Sequence, residues 1–87
     1  MKKYHRNDKV LSAELDQEIC LFDEEEGQYY NLNNTSSSIW NLLETPLNLE
    51  ELTDYLKEEY LVNTETCKEE VLDHLRELID LKIIKYF

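Results

Sequence analysis

The chain has 87 residues, 20 Asp and Glu against 9 Lys and Arg for a net charge of −11, and 41% apolar residues. That length makes one domain with little room for a deep enclosed active site, and the apolar share supports a packed core, which excludes global disorder. The acidity argues against DNA, RNA or an anionic membrane surface as partner, because those are gripped by Lys and Arg; it would attract a basic peptide or protein segment.

Residues 1–9 hold four of the nine basic residues and no apolar periodicity. They are expected to form a flexible N-terminal arm ahead of a domain spanning 10–87. Met1-Lys2-Lys3 is basic, but no apolar segment follows it, and no apolar run approaches ~18 residues. A cytoplasmic protein without a membrane span is expected. Val10–Leu15 reads as a first strand and Asp16-Gln17 as a two-residue turn. Glu18–Asp23 reads as a second strand, with Cys20 and Phe22 on one face and Ile19 and Leu21 on the other. The charged stretch 23–27 ends in Gly27, the one glycine of the chain. It lacks the alternating oxygen ligands and sixth-position glycine of a calcium loop, so it is a solvated turn. Residues 28–33 then form the third strand of a β-meander.

Asn33, Asn34 or Thr35 can cap a helix over 35–43, whose Ile39, Trp40, Leu42 and Leu43 share an apolar face. Pro46 stops it. Asn48 with Glu51 three residues on is a capping box for a second helix ending near Tyr60, with Leu49, Leu52, Tyr55 and Leu56 as its stripe. Residues 61–63 link onward. Thr64 or Thr66 is expected to cap a third helix, whose stripe is Cys67, Val71, Leu75 and Leu78, with Leu72 and Ile79 widening it. Residues 82–87 form a short extended tail. The expected fold is α+β: a three-stranded antiparallel β-meander followed by three helices, winged-helix-like.

Catalytic chemistry is not indicated, and no cofactor or metal is expected. Cys20 and Cys67 form no CxxC pair and have no clustered histidines, so there is no zinc signature. Cys67 and His74 are two helical turns apart, ~10 Å by rise alone, which is too far for a nucleophile–base pair. A single glycine rules out a Gly-rich phosphate loop. The protein is expected not to be an enzyme.

The third strand is more informative. If the strand order is 1-2-3, it is an edge with unpaired N–H and C=O groups. Exposed edges are usually blunted with Lys, Pro or a bulge, and Gln28-Tyr29-Tyr30-Asn31-Leu32 contains neither Lys nor Pro. Such an edge can take up an extended peptide by strand addition, with Leu72 and Ile79 suited to a groove wall. It could also pair with a second copy, so the expected state is a monomer or an edge-paired dimer.

The stretch GQYYNLNNTSSSIWNLLETPLNLEELTDYLKEEY resembles the PqqD-like proteins, the peptide-binding RiPP recognition elements. Gly27, Tyr29, Tyr30, Leu32, Asn33, Thr35, Ile39, Trp40, Leu42, Leu43, Glu51 and Leu52 match that family's pattern in register. One departure is Ser36, where many relatives have glycine. The resemblance implies binding of the leader segment of a ribosomally made precursor peptide and its presentation to modifying enzymes. The leader would add alongside the strand Gln28–Leu32, in a groove closed by the helix Thr64–Asp80. Backbone groups of Tyr29 and Asn31 would bond it, and Tyr30, Leu32, Leu72, Leu75 and Ile79 would line a pocket. Glu69, Asp73 and Arg76 would sit at the rim. By analogy the role is that of the stand-alone leader-binding subunit of a lasso-peptide system. Its partners would be a Tyr-x-x-Pro-containing leader, a leader peptidase and an ATP-dependent cyclase. The alternatives are a PqqD-type peptide chaperone for a radical-SAM enzyme, a winged-helix nucleic-acid binder, which the acidity opposes, or an acidic docking adaptor without leader recognition.

Overall fold

A computed structural model describes residues 2–16, 18–60 and 63–87. The elements run β1 (Tyr4–Arg6), β2 (Val10–Leu15), β3 (Glu18–Asp23), β4 (Gln28–Leu32), α1 (Asn34–Leu42), α2 (Leu49–Tyr60), α3 (Thr64–Asp80) and β5 (Ile84–Tyr86). The expected meander is β2-β3-β4, antiparallel throughout, with β3 in the middle. Leu21 stands opposite Ser12 and Tyr30, and Phe22 opposite Leu11 and Tyr29. Burial alternates along β3 as its sequence requires: Ile19 and Leu21 are buried, Cys20 and Phe22 partly open. At the β3–β4 turn the buried Asp23 carboxylate accepts the N–H groups of Glu25 and Glu26, and Gly27 takes a φ of 68°. That left-handed conformation is why the one glycine stands there. Gln17, Leu61 and Val62 lie outside the described residues, and with them half of the expected Asp16-Gln17 turn and most of the 61–63 link.

The helices start where side chains can accept the orphan N–H groups of a first turn. Asn33 Oδ1 accepts from Ser36 N at 2.8 Å, which starts α1 one residue earlier than expected. Asn48 and Glu51 exchange their two bonds as a capping box, at 2.8 and 3.0 Å. The α3 cap is Asn63, whose Oδ1 accepts from Thr66 N at 2.8 Å, and not Thr64 or Thr66. Asn63 fits because an N-cap bonds the N–H three residues on, and Thr66 is the recipient.

The expected separation of residues 1–9 from the domain is corrected by β1. Tyr4–Arg6 pairs antiparallel with β5, and Tyr4 is a core residue, 6% exposed. Asn7 Nδ2 donates to Lys82 O at 2.7 Å and Asn7 N to Ile83 O at 3.0 Å. Arg6 donates from Nε and Nη2 to the carbonyl of Trp40 at 2.9 and 2.6 Å, and its guanidinium lies 4.4 Å from a Trp40 ring centre. Trp40 is in the last turn of α1, where carbonyls lack helical partners and a cation opposes the negative end of the dipole. No basic residue of α1 itself sits there. The strand is held by chain ends some eighty residues apart, so local periodicity carries no trace of it.

One core joins all these elements. Leu21, Ile39, Trp40, Leu43, Leu52, Leu56, Cys67, Val71, Leu75, Leu78, Ile83 and Ile84 are at most 2% exposed. Tyr30, Leu32, Leu42, Leu49 and Ile79 pack half-buried against them. Among the described residues, no buried side-chain N or O lacks a hydrogen bond.

Candidate functional site

β4 closes one side of the meander. It pairs with β3 along its full length, and no strand among the described residues pairs with its other side. Tyr30 and Leu32 turn inward and pack on the core, whereas Tyr29 and Asn31 turn outward. Tyr29 is 78% exposed, with its ring 4.7 Å from that of Phe22. The Cys20 thiol donates to Asn31 Oδ1 at 3.0 Å. Gln28 is exposed. β4 contains no Lys, Pro or bulge, so its outer main-chain groups remain available for pairing.

Two contacts tie α3 to the segments on either side of β4. Lys82, just past the end of α3, pairs with Glu26 before β4 at 3.3 Å. His74 Nδ1, mid-helix, lies 3.1 Å from Ser36 Oγ in the first turn of α1, just after β4. Helix and strand therefore run in opposite directions. Thr35 shares a cleft with Cys67, Glu70 and Val71, so Glu70 lies on the same flank as His74. Helical spacing continues that row through Glu77 and Leu81.

The residues expected to wall the groove differ in exposure. Leu75 is fully buried and offers no surface. Leu72 and Ile79 are half-buried, between Lys68 and Arg76 on the helical projection. Lys68 shares a surface cleft with Lys2 and Tyr86, and Arg76 is close enough to Tyr4 to influence its phenol. This flank of α3 thus faces the β1–β5 pair, away from His74. Glu69 and Asp73 point to solvent, and Asp73 pairs with Arg76 at 3.6 Å. The structure brings together Gln28, Tyr29, Tyr30, Asn31 and Leu32 on β4, and sets His74 and Glu70 against the start of α1 that follows it, with Glu77 and Leu81 continuing that flank by helical spacing. Sequence periodicity defined the buried stripe of α3 but not which of its two flanks meets the start of α1. The one available clue was Ser36 in place of glycine, since a hydroxyl buried there needs a partner.

The arrangement suits binding better than bond-making. The described residues contain no group of three or more His, Cys, Asp or Glu that could hold a metal ion. Cys67 is buried with its thiol toward Thr53 O at 3.8 Å, and burial, reinforced by Glu70, pushes that thiol up from its ordinary range. A thiol held protonated is a poor nucleophile. No described helix is long and apolar enough to cross a membrane.

The model of the coenzyme PQQ synthesis protein D (PqqD) family matches residues 18–84. Among solved structures, TbiB1 in complex with the TbiA(beta) leader peptide is 33% identical with a TM-score of 0.86, covering 93% of this chain and 94% of that one. A lasso peptide synthetase B1 complexed with the leader peptide is 19% identical with a TM-score of 0.79, covering 94% of this chain and 96% of that one, and shares the fold. No curated protein matches the sequence. A family match over most of the chain, and a one-third-identical structure over nearly all of it, make this chain a member of the PqqD family.

Proposed function

We propose that this protein binds the leader segment of a ribosomally made precursor peptide as a fourth strand on β4. The carrying observation is the open main-chain edge of Gln28–Leu32 lying antiparallel to α3. The one-third-identical relative in complex with a leader peptide supports this reading. The outward groups of Tyr29 and Asn31 bond the peptide backbone, giving affinity that tolerates sequence variation. Tyr30 and Leu32 offer apolar contact from below, and Glu70, His74, Glu77 and Leu81 form the far wall. The protein performs no chemistry. It works in the cytoplasm, in a lasso-peptide system, delivering the peptide to a leader peptidase and cyclase by raising its local concentration. Ordering a free peptide costs part of the gross interaction, so affinity of about micromolar or somewhat tighter is expected.

Fluorescence anisotropy with the labelled leader of the precursor encoded alongside tests this. Asn31→Pro removes an N–H and fixes φ on the edge. A folded Asn31→Pro protein should bind at least about tenfold more weakly. Undiminished binding would remove β4 from the site.

A further inference from the structure

β5 carries a second open edge. On one side of β1 the Tyr4 main chain bonds that of Leu47, at 2.7 and 3.3 Å, and on the other side β1 pairs with β5. Lys3 and Phe87 exchange both main-chain bonds, at 2.9 and 3.0 Å, which turns the N–H and C=O of Tyr86 away from β1. No strand among the described residues meets that side of β5. Side chains alternate across the pair: Lys3, His5, Lys85 and Phe87 share one face, and Tyr4, Ile84 and Tyr86 the other. Phe87 is 64% and Tyr86 47% exposed. The charge along this edge differs from that along β4. Residues 10–56 contain no Lys or Arg, whereas residues 2–7 and 81–87 contain no Asp or Glu. At the Tyr86 end, Lys2 and Lys68 border a cleft of about 470 Å³ with Leu49 and Tyr86 as its apolar wall and Glu50 as its carboxylate. Lys2 Nζ stands 5.7 Å from the centre of the Tyr86 ring.

We propose that the β5 edge accepts an extended segment of a partner protein in which acidic and apolar residues alternate. This goes beyond leader binding and does not rest on it. Strand addition supplies backbone bonds through Tyr86, as on any unpaired edge. The alternation of the added strand then sets its sequence. One row of its side chains continues the face of Lys3 and Lys85, where carboxylates meet two ammonium groups. The other row falls on the Tyr86 side, where the cleft with Leu49 receives an apolar side chain. Size favours a peptide over a nucleic acid. The three residues of β5 span only about 10 Å. A longer polyanion would run from there onto the surface of a chain whose net charge is −11.

The test uses the full chain and two labelled peptides of about ten residues, one alternating Glu with Val and one alternating Lys with Val. In fluorescence anisotropy at low salt the Glu peptide should bind at least about tenfold more tightly than the Lys peptide. Lys3→Glu with Lys85→Glu should reverse that preference. Tyr86→Pro removes the outward N–H and no bond between β1 and β5, and should weaken the Glu peptide at least about tenfold. Should Tyr86→Pro fail to fold, the double charge reversal carries the test alone. Hydrogen exchange should show the Glu peptide protecting the Tyr86 amide. Equal affinity for the two peptides overturns the proposal, as does protection on β4 in place of β5. A single-stranded oligonucleotide that displaces the Glu peptide and needs Lys3 and Lys85 would give the edge to nucleic acid. Self-association in sedimentation that the charge reversal abolishes would give it to a second copy. Either result overturns the assignment.

Discussion

Ser36 Oγ and His74 Nδ1 meet at 3.1 Å, joining the first turn of α1 to the middle of α3. The bond lies just past the end of β4 and holds the His74 flank of α3 against the start of α1. Ser36 is 6% exposed, so its hydroxyl needs that partner. Ser36→Ala should cost about 1 kcal/mol, and lower the melting temperature by about 4–8 °C. Thermal unfolding followed by circular dichroism reads it; an unchanged melting temperature would mean the bond contributes nothing.

The two flanks of α3 should separate stability from binding. Ile79 packs against the core on the flank facing β1 and β5. Ile79→Asp forces a carboxylate into that contact and should destabilise by about 1–3 kcal/mol, with leader affinity retained by the folded fraction. Glu77→Lys reverses an exposed charge on the other flank. It should leave urea unfolding unchanged and shift leader affinity and its salt dependence. The opposite pattern would return the groove to the Leu72–Ile79 side.

The N-terminal strand should behave as part of the domain. Tyr4→Ala removes a core aromatic and should cost about 3–5 kcal/mol, a large share of the stability of so small a domain. Arg6→Lys keeps the charge but loses the two-pronged grip on the Trp40 carbonyl, and should cost about 1 kcal/mol. Denaturant titration compares them. A Tyr4→Ala protein as stable as wild type would make β1 an ornament on the fold.

Burial raises the Cys67 thiol and, helped by Tyr86, the Tyr4 phenol. A raised folded value means the native state holds its proton to higher pH than the unfolded chain. Both contributions are therefore complete below the ordinary thiol range and decline as pH rises past about 8.5 and then 10. Urea unfolding between pH 7 and 10.5 should show this alkaline loss. In native protein iodoacetamide should modify one thiol, at Cys20, with Cys67 reacting only on unfolding; two equally fast thiols would contradict the buried placement.

Much of this fold was legible in residue order, because the signals were local. The alternation along Glu18–Asp23, the Asn48–Glu51 capping box and the apolar stripe of α3 each depend on neighbours a few positions away. The edge position of β4 followed from simple meander order. What stayed hidden was set by distant partners. β1 exists because residues near each end of the chain pair, and Tyr4 alone gives no periodicity. The α3 cap fell on Asn63, one residue before the first threonine considered. The facing flank of α3 depends on how the helix rolls against α1, which a stripe that broad does not specify.

Backbone hydrogen exchange on the protein with and without its leader tests the central claim most directly. The account predicts that leader slows exchange along Gln28–Leu32 while the amides of β2, the other edge of the sheet, exchange as before. Protection appearing on β2, or confined to the Leu72–Ile79 flank of α3, would contradict it.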